Sequence, residues 1–359
     1  MRDRYGRYLG VVLVVLIVCL GLTLGGCYWK QQVLSLAEQM TLWEKEGTVF
    51  RTGIMTAGGP LGAGRISYTV SPDGTRILFS PGKPEEEGFW LMDLKSGDLS
   101  KVPGEVGCYW SVPHWSRKGK QVLAISTPYQ NNINPQLERE IILLNSADWS
   151  YRKLAIPRGD NNSPSFSADG KFVFFIKGTM WKSPKSKSNR VWHLYDLYAY
   201  DLASEEERQL THEEAFGMGG GYDDDQEIFF SARSLKRLIS MRSDSKDQIN
   251  IYALNKRSLS LREVEVDQGD GFFDLILGGL DKGRNIYFTA SMKQPPGRKF
   301  YITTVYRCNA KGRHCVRLTE EIYFFSNVKI AYETGEVFVD DRLGNEIVFR
   351  RLSQPFMEQ

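Results

Sequence analysis

The chain is patterned as a series of short apolar runs, each introduced by a polar turn. The stretch "SPDGTRILF" at 71–79 sets the form: a serine, a proline, an Asp-Gly pair, then a basic and apolar strand. It recurs in degraded copies as "HWSRKGKQVLAIS" (114–126), "SFSADGKFVFFI" (165–176), "GGYDDDQEIFF" (220–230), "GGLDKGRNIYFTA" (278–290) and "IAYETGEVFV" (330–339). Aligning Gly74, Gly119, Gly170, Asp225, Gly283 and Gly335 as the turn residues gives intervals of about 45 to 58 residues, a spacing of propeller blades rather than of helical repeats. Asp-Gly and Lys-Gly suit the motif because a tight antiparallel connection needs positive φ without a Cβ clash.

Each copy runs on into further strand-like segments. "FWLMDLKSGDLSKV", "EIILLNSADWSYRKL", "DLYAYDLASEEERQLT", "INIYALNKRSLSLREV" and "YRCNAKGRHCVRLT" read as the third and fourth strands of five units. The sixth, "KIAYETGEVFVDDRLGNEIVFRRL", is one strand short, and "TVFRTGIM" at 48–55 is the candidate to complete it. Closure of that kind covers the two sheet edges an open array would expose. The pattern predicts an all-β, six-bladed β-propeller of four-stranded antiparallel blades, preceded by a short N-terminal helix. "SPDGTRILF", "FSADGKFVFF", "RQLT" and "VRLT" resemble the WD40-like repeats of the TolB-type propeller, which also occur in the propeller domains of prolyl-oligopeptidase relatives. The resemblance covers 48–352 and implies the fold and an envelope setting. It transfers neither named activity, because the expected chain has neither the α/β domain ahead of a TolB propeller nor a hydrolase domain.

The N-terminus changes the picture from shape to location. Arg2, Arg4 and Arg7 precede the uncharged run "LGVVLVVLIVCLGLTL", and "LGGC" at 24–27 closes it, in the order of an export signal. "LGGC" resembles the lipobox of bacterial lipoproteins, which implies lipidation at Cys27; the competing reading is an uncleaved signal anchor. Both put the rest of the chain outside the cytoplasm. The domain plan is then a signal peptide at 1–26, a lipidated tether and amphipathic helix at 27–46, and a propeller at 47–359. In the tether Val33, Leu36, Ala37, Met40 and Trp43 fall at helical spacing, so this helix either packs on the domain or lies on the membrane. Tyr28 after the cysteine permits outer-membrane sorting, facing the periplasm, in a Gram-negative cell.

Composition adds little that competes. With 42% hydrophobic residues the chain can build a core, and a net charge of +3 creates no whole-molecule attraction to nucleic acid. Cys308 and Cys315 bracket "NAKGRH" between two strand-like runs and can form a disulfide in an oxidising setting, while Cys108 reads as a buried apolar residue.

Candidate chemistry is sparse. No G-x-S-x-G, H-E-x-x-H or P-loop is present, and no cofactor is expected. "GMGGG" (217–221) reads as close backbone packing near the axis, and "DDD" (223–225) as a solvated corner. His114 and His212 fall near starts of inner strands, but two imidazoles without a third ligand make a poor metal site. The expected asymmetry is in loops. One carries Trp181, Lys182, Lys185, Lys187, Arg190 and Trp192, and the next carries Arg233, Lys236 and Arg237, with Lys293, Arg298 and Lys299 beyond. Connections on the same face oppose them with acids such as Glu213, Glu214 and Asp274. A basic patch beside a more acidic channel mouth suits docking onto an envelope protein or acidic glycan. The expected function is therefore a lipid-anchored, non-catalytic platform. A glycan-directed lyase or hydrolase at the channel mouth is the alternative.

Overall fold

The computed structural model describes residues 47–55, 66–80, 87–128, 138–182, 191–215, 218–233, 249–267, 272–292, 302–319, 327–343 and 346–352. The signal, Cys27 and the expected N-terminal helix lie outside the described residues. Residues 48–359 form one compact unit.

Strand β1 (Gly47–Met55) comes first in the chain and joins the last sheet. The first repeat becomes β2 (Ser67–Val70), β3 (Arg76–Ser80), β4 (Phe89–Asp93) and β5 (Leu99–Val102). The second becomes β6 (Cys108–Trp115), β7 (Gln121–Pro128), β8 (Glu140–Asn145) and β9 (Tyr151–Lys153). β10 (Asp160–Phe166), β11 (Phe172–Lys182), β12 (Val191–Asp201) and β13 (Glu207–Gln209) make the third. The fourth holds β14 (Met218–Asp223), β15 (Glu227–Arg233), β16 (Ile249–Asn255) and β17 (Leu261–Glu263). The fifth holds β18 (Phe272–Leu280), β19 (Asn285–Met292), β20 (Ile302–Asn309) and β21 (Val316–Arg317). The last sheet runs β1–β24–β23–β22, with β22 (Val328–Ile330), β23 (Val337–Leu343) and β24 (Glu346–Leu352). One parallel pairing, Ile249 with Asp274, links the fourth and fifth units into a single eight-stranded sheet.

The first strands of successive units, β2, β6, β10, β14, β18 and β22, each pack on the next, and β22 packs on β2. The result is a closed ring with these strands innermost, a β-propeller. Its cohesion is legible in the second strand of each blade, which is apolar on both faces and sends alternate residues to opposite neighbours. In β11 Phe175 packs with Leu123 and Ile141 of the second blade, while Phe174 packs with Phe230 and Leu254 of the fourth. In β19 Phe288 joins Phe229 and Ile251, and Tyr287 joins Val339 and Leu352. The seam between last and first blades is filled by Phe79, Phe338 and Phe349. There β24 is covered by β1: Thr52 donates its hydroxyl to the Ile347 carbonyl (2.7 Å), and the Arg51 guanidinium grips the Glu346 carboxylate.

The turn that organises the repeat works through its serine and aspartate. Ser71 Oγ donates to Asp73 (2.5 Å) and accepts from Arg76 N–H (2.9 Å), while Gly74 takes φ 73°. The third blade repeats this with Ser167, Asp169, Phe172 and Gly170 at φ 74°, and the second keeps Ser116 and Gly119 at φ 67°. The fifth copy departs from the sequence alignment. Its left-handed residue is Arg284 (φ 62°), not Gly283, because the turn closes between Asp281 and Asn285. Arg284 holds this unfavourable geometry with its guanidinium on Asp224 of the fourth blade (2.6 Å).

Four innermost strands also carry an irregularity no motif announced. β6, β10, β14 and β18 each slip register partway along, between Ser111 and His114 in β6 and between Leu277 and Gly279 in β18. Val112 in β6 sits at φ 51°, costly for a β-branched residue, and its N–H is taken by Ser67 Oγ of the preceding blade. Ser231 holds the Leu277 N–H in the same way (2.7 Å).

Gly312 (φ 78°) and Gly97 (φ 80°) separate backbone strain from contact. A Cβ at Gly312 would strike the backbone carbonyl of Glu265, whereas at Gly97 it meets nothing. Gly97→Ala should lower unfolding free energy by about 1 kcal/mol and Gly312→Ala by about 2–3 kcal/mol, measured by urea denaturation.

Candidate functional site

The six inner strands converge on an axial cavity of about 70 Å³. It lies at the end of the ring where the Asp-Gly turns sit, because each inner strand finishes there: His114 is the penultimate residue of β6 and Asp223 the last of β14. This corrects the sequence placement of His114 near a strand start at the loop-bearing mouth. β6 begins at Cys108, and its slipped register precedes His114. His212 is exposed on the segment after β13 and does not line the cavity.

His114 is half-buried, with its Nδ1 shielded from solvent, against the rings of Phe166 and Tyr222 at centroid distances of 6.4 and 5.7 Å. Burial, reinforced by the positive charge of Lys329, pulls its pKa down to about 3, so the imidazole is neutral at physiological pH. Lys329 reaches across from β22 to donate to the Tyr222 hydroxyl (3.0 Å). Arg117 lies over the Tyr332 ring at 4.3 Å and donates to the Asp223 carbonyl.

The "DDD" stretch is not the solvated corner its composition suggests, since only Asp225 is exposed. Asp223 and Asp224 are 5% and 4% exposed and act as pins between blades. Asp223 accepts from the Ala168 N–H of the third blade (2.7 Å) and pairs with Lys256 (2.9 Å); Asp224 holds Arg284 of the fifth. Burial raises the Asp223 pKa despite these partners.

At the opposite, loop-bearing end the structure reaches part of the expected basic patch. β11 and β12 pair to their tips, with Trp181 opposite Trp192 and Lys182 opposite Val191. Lys185, Lys187, Arg190, Lys236 and Arg237 lie outside the described residues, as do Lys293, Arg298 and Lys299. Arg233 is half-buried and faces Asp274 of the next blade at 3.6 Å, so its charge serves the blade junction rather than a free docking surface. Cys308 and Cys315 are joined by a disulfide with Cα atoms 4.2 Å apart, and Cys108 is a buried free thiol whose pKa burial raises.

One cluster near this end escaped the sequence reading. Asp160, fully buried, is approached by Arg139 of the second blade (3.0 Å) and by His193 Nδ1 (2.7 Å). Tyr195 joins them, its hydroxyl pKa raised by burial and by the Asp160 charge. Asp160, Gly178 and Tyr195 form one row across β10, β11 and β12, and the missing side chain at Gly178 leaves room for its neighbours to meet. That glycine, central in a long apolar strand, was the available signal.

No protein-family model matches the chain, and no curated relative does. Solved structures do match. A protein assigned as a TolB from Agrobacterium tumefaciens superposes with a TM-score of 0.52 at 16% identity, over 80% of this chain and 91% of that one. TolB from Acinetobacter baumannii gives 0.47 at 15%, over 81% of this chain and 64% of its own length. An oligogalacturonate lyase from Vibrio parahaemolyticus gives 0.50 at 11%, over 80% and 77%. The fold is a TolB-like β-propeller. At these identities the likeness concerns architecture alone.

Within this TolB-like propeller the neutral His114 has a measurable consequence. The unfolded chain takes up a proton on His114 near pH 6.5 and the folded chain not until about pH 3, so this site's contribution is intact above pH 6.5 and lost on acidification. Between about pH 7 and pH 4 the native chain should lose on the order of 3 kcal/mol more stability than His114→Gln, read from urea denaturation at each pH.

Proposed function

We propose that the chain is a lipid-anchored propeller of the bacterial cell envelope, working as a binding or assembly platform without catalysis of its own. The small volume of the axial cavity carries this reading. Sites for small organic substrates typically enclose ~300–1,000 Å³. The cavity beside His114 measures about 70 Å³, is bridged by the Lys329–Tyr222 hydrogen bond, and lacks His212. A glycan residue has no room there, which disfavours a lyase or hydrolase centred on His114.

The envelope setting is supported by the basic, apolar and small-residue order of the N-terminus up to Cys27, and by the Cys308–Cys315 disulfide, a bond that persists in oxidising compartments. Two or three acyl chains on Cys27, at about 0.8 kcal/mol per buried CH₂, would hold the protein at a bilayer. The docking surface in this reading is the far end of the β11–β12 pair, with Trp181 and Trp192 paired in register, and includes Lys182 and, from the sequence between the two strands, Lys185, Lys187 and Arg190. Its partner is an acidic envelope protein or glycan.

In cells, Cys27→Ser should move the protein from the membrane to the soluble fraction and abolish incorporation of labelled palmitate. Crosslinking from intact cells should capture an envelope partner with the native chain. Reversing the charges of Lys182, Lys185, Lys187 and Arg190 should lose that partner without altering the thermal transition. Retention of the partner by the reversed-charge variant sinks the assignment of this face. Alkylation of the unfolded chain without reductant should label Cys108 and leave Cys308 and Cys315 unmodified.

A further inference from the structure

Two cations and an imidazole meet in the axial cavity, and the one carboxylate on its lining is shared with a third cation, Lys256. Among the described residues Lys329 makes no ion pair, and its one hydrogen bond goes to the Tyr222 hydroxyl. Arg117 likewise makes no ion pair; it donates to a backbone carbonyl and stacks on Tyr332. His114 Nδ1 is buried with no hydrogen-bond partner. The single carboxylate on the lining, Asp223, feels the Arg117 charge but makes its ion pair with Lys256 and accepts from the Ala168 N–H. Lys329, Arg117 and His114 are each partly buried, and an unsatisfied buried polar atom such as His114 Nδ1 commonly marks a water or ion.

We infer that the axial cavity is a binding site for one small monovalent anion, of halide or formate size, held by Lys329 and Arg117 with His114 and the Tyr222 hydroxyl beside it. The cavity of about 70 Å³ has room for such an ion together with water. Lys329 comes from the last blade, Arg117 from the second and Tyr222 from the fourth, so a bound anion ties three non-adjacent blades together across the axis. The ion would also offset the two positive charges that face His114, and so shrink the acid sensitivity described above; Asp223 and Tyr222 are the other titratable groups on that lining.

Bromide is the probe. Crystals of the propeller grown in sodium bromide should show one anomalous peak in the axial cavity, in contact with Lys329 Nζ and the Arg117 guanidinium. In solution the thermal transition should rise saturably with sodium bromide relative to sodium gluconate at equal ionic strength. Lys329→Met and Arg117→Met should each weaken half-saturation by about ten-fold, as expected for losing a charged hydrogen bond. Lys311→Met, on the exposed tip of the β20–β21 hairpin, should leave it unchanged. The readout is the bromide-dependent increment, so a lower baseline in either variant does not confuse it. Water alone in the cavity, a peak elsewhere only, or an increment unaffected by both axial variants overturns the inference.

Discussion

Apolar faces that must be covered on both sides shape everything else in this molecule. The second strand of each blade is buried on both faces, as Phe174 and Phe175 show by packing into opposite neighbours. A sheet of this composition has no stable solvent face, so each blade needs two partners. A ring meets that demand for every blade at once, and it closes because Phe79 of the first blade finds Phe338 and Phe349 of the last. The axis, the turn face and the loop face are consequences of that closure.

Polar groups then fix the blades' angles within the apolar frame. Asp223 and Asp224 reach the third and fifth blades from the fourth, and Ser67 and Ser231 hold the backbone of the blade that follows each. These contacts act at blade ends, where inner strands crowd and side chains shorten. Burial there is what holds His114 neutral, and the convergence of lysine and arginine on the same spot gives the axis a positive character unrelated to the basic loops at the far end.

Local chemistry made the fold readable. The Ser-x-Asp-Gly turn needs only six consecutive residues to define its hydrogen bonds, so its copies at 71 and 167, and the variant at 116 with lysine for aspartate, stand out in sequence. Where the turn was rebuilt, reading failed: nothing local announces that Arg284 rather than Gly283 takes positive φ, since the compensating contact comes from Asp224, 60 residues away. The fate of "DDD" was hidden for the same reason, because Lys256 and Arg284 arrive from other turns. The Arg139–Asp160–His193–Tyr195 cluster is assembled from two strands and a connecting segment, a pattern no spacing rule encodes. His114 was noticed as a residue type but assigned to the wrong end of its strand. The slipped register of β6 depends on Ser67 in another blade.

The pairing of β1 with β24 joins residues 295 positions apart, among them Thr52 and Ile347. A chain emerging from the ribosome therefore delivers one half of this clasp long before the other exists. Until the final segment arrives, both ends of the growing array remain open to strangers and the last seam has nothing to grip. Completion is thus timed by β24, and a truncation that removed this strand would be felt at β1, near the opposite end of the polypeptide.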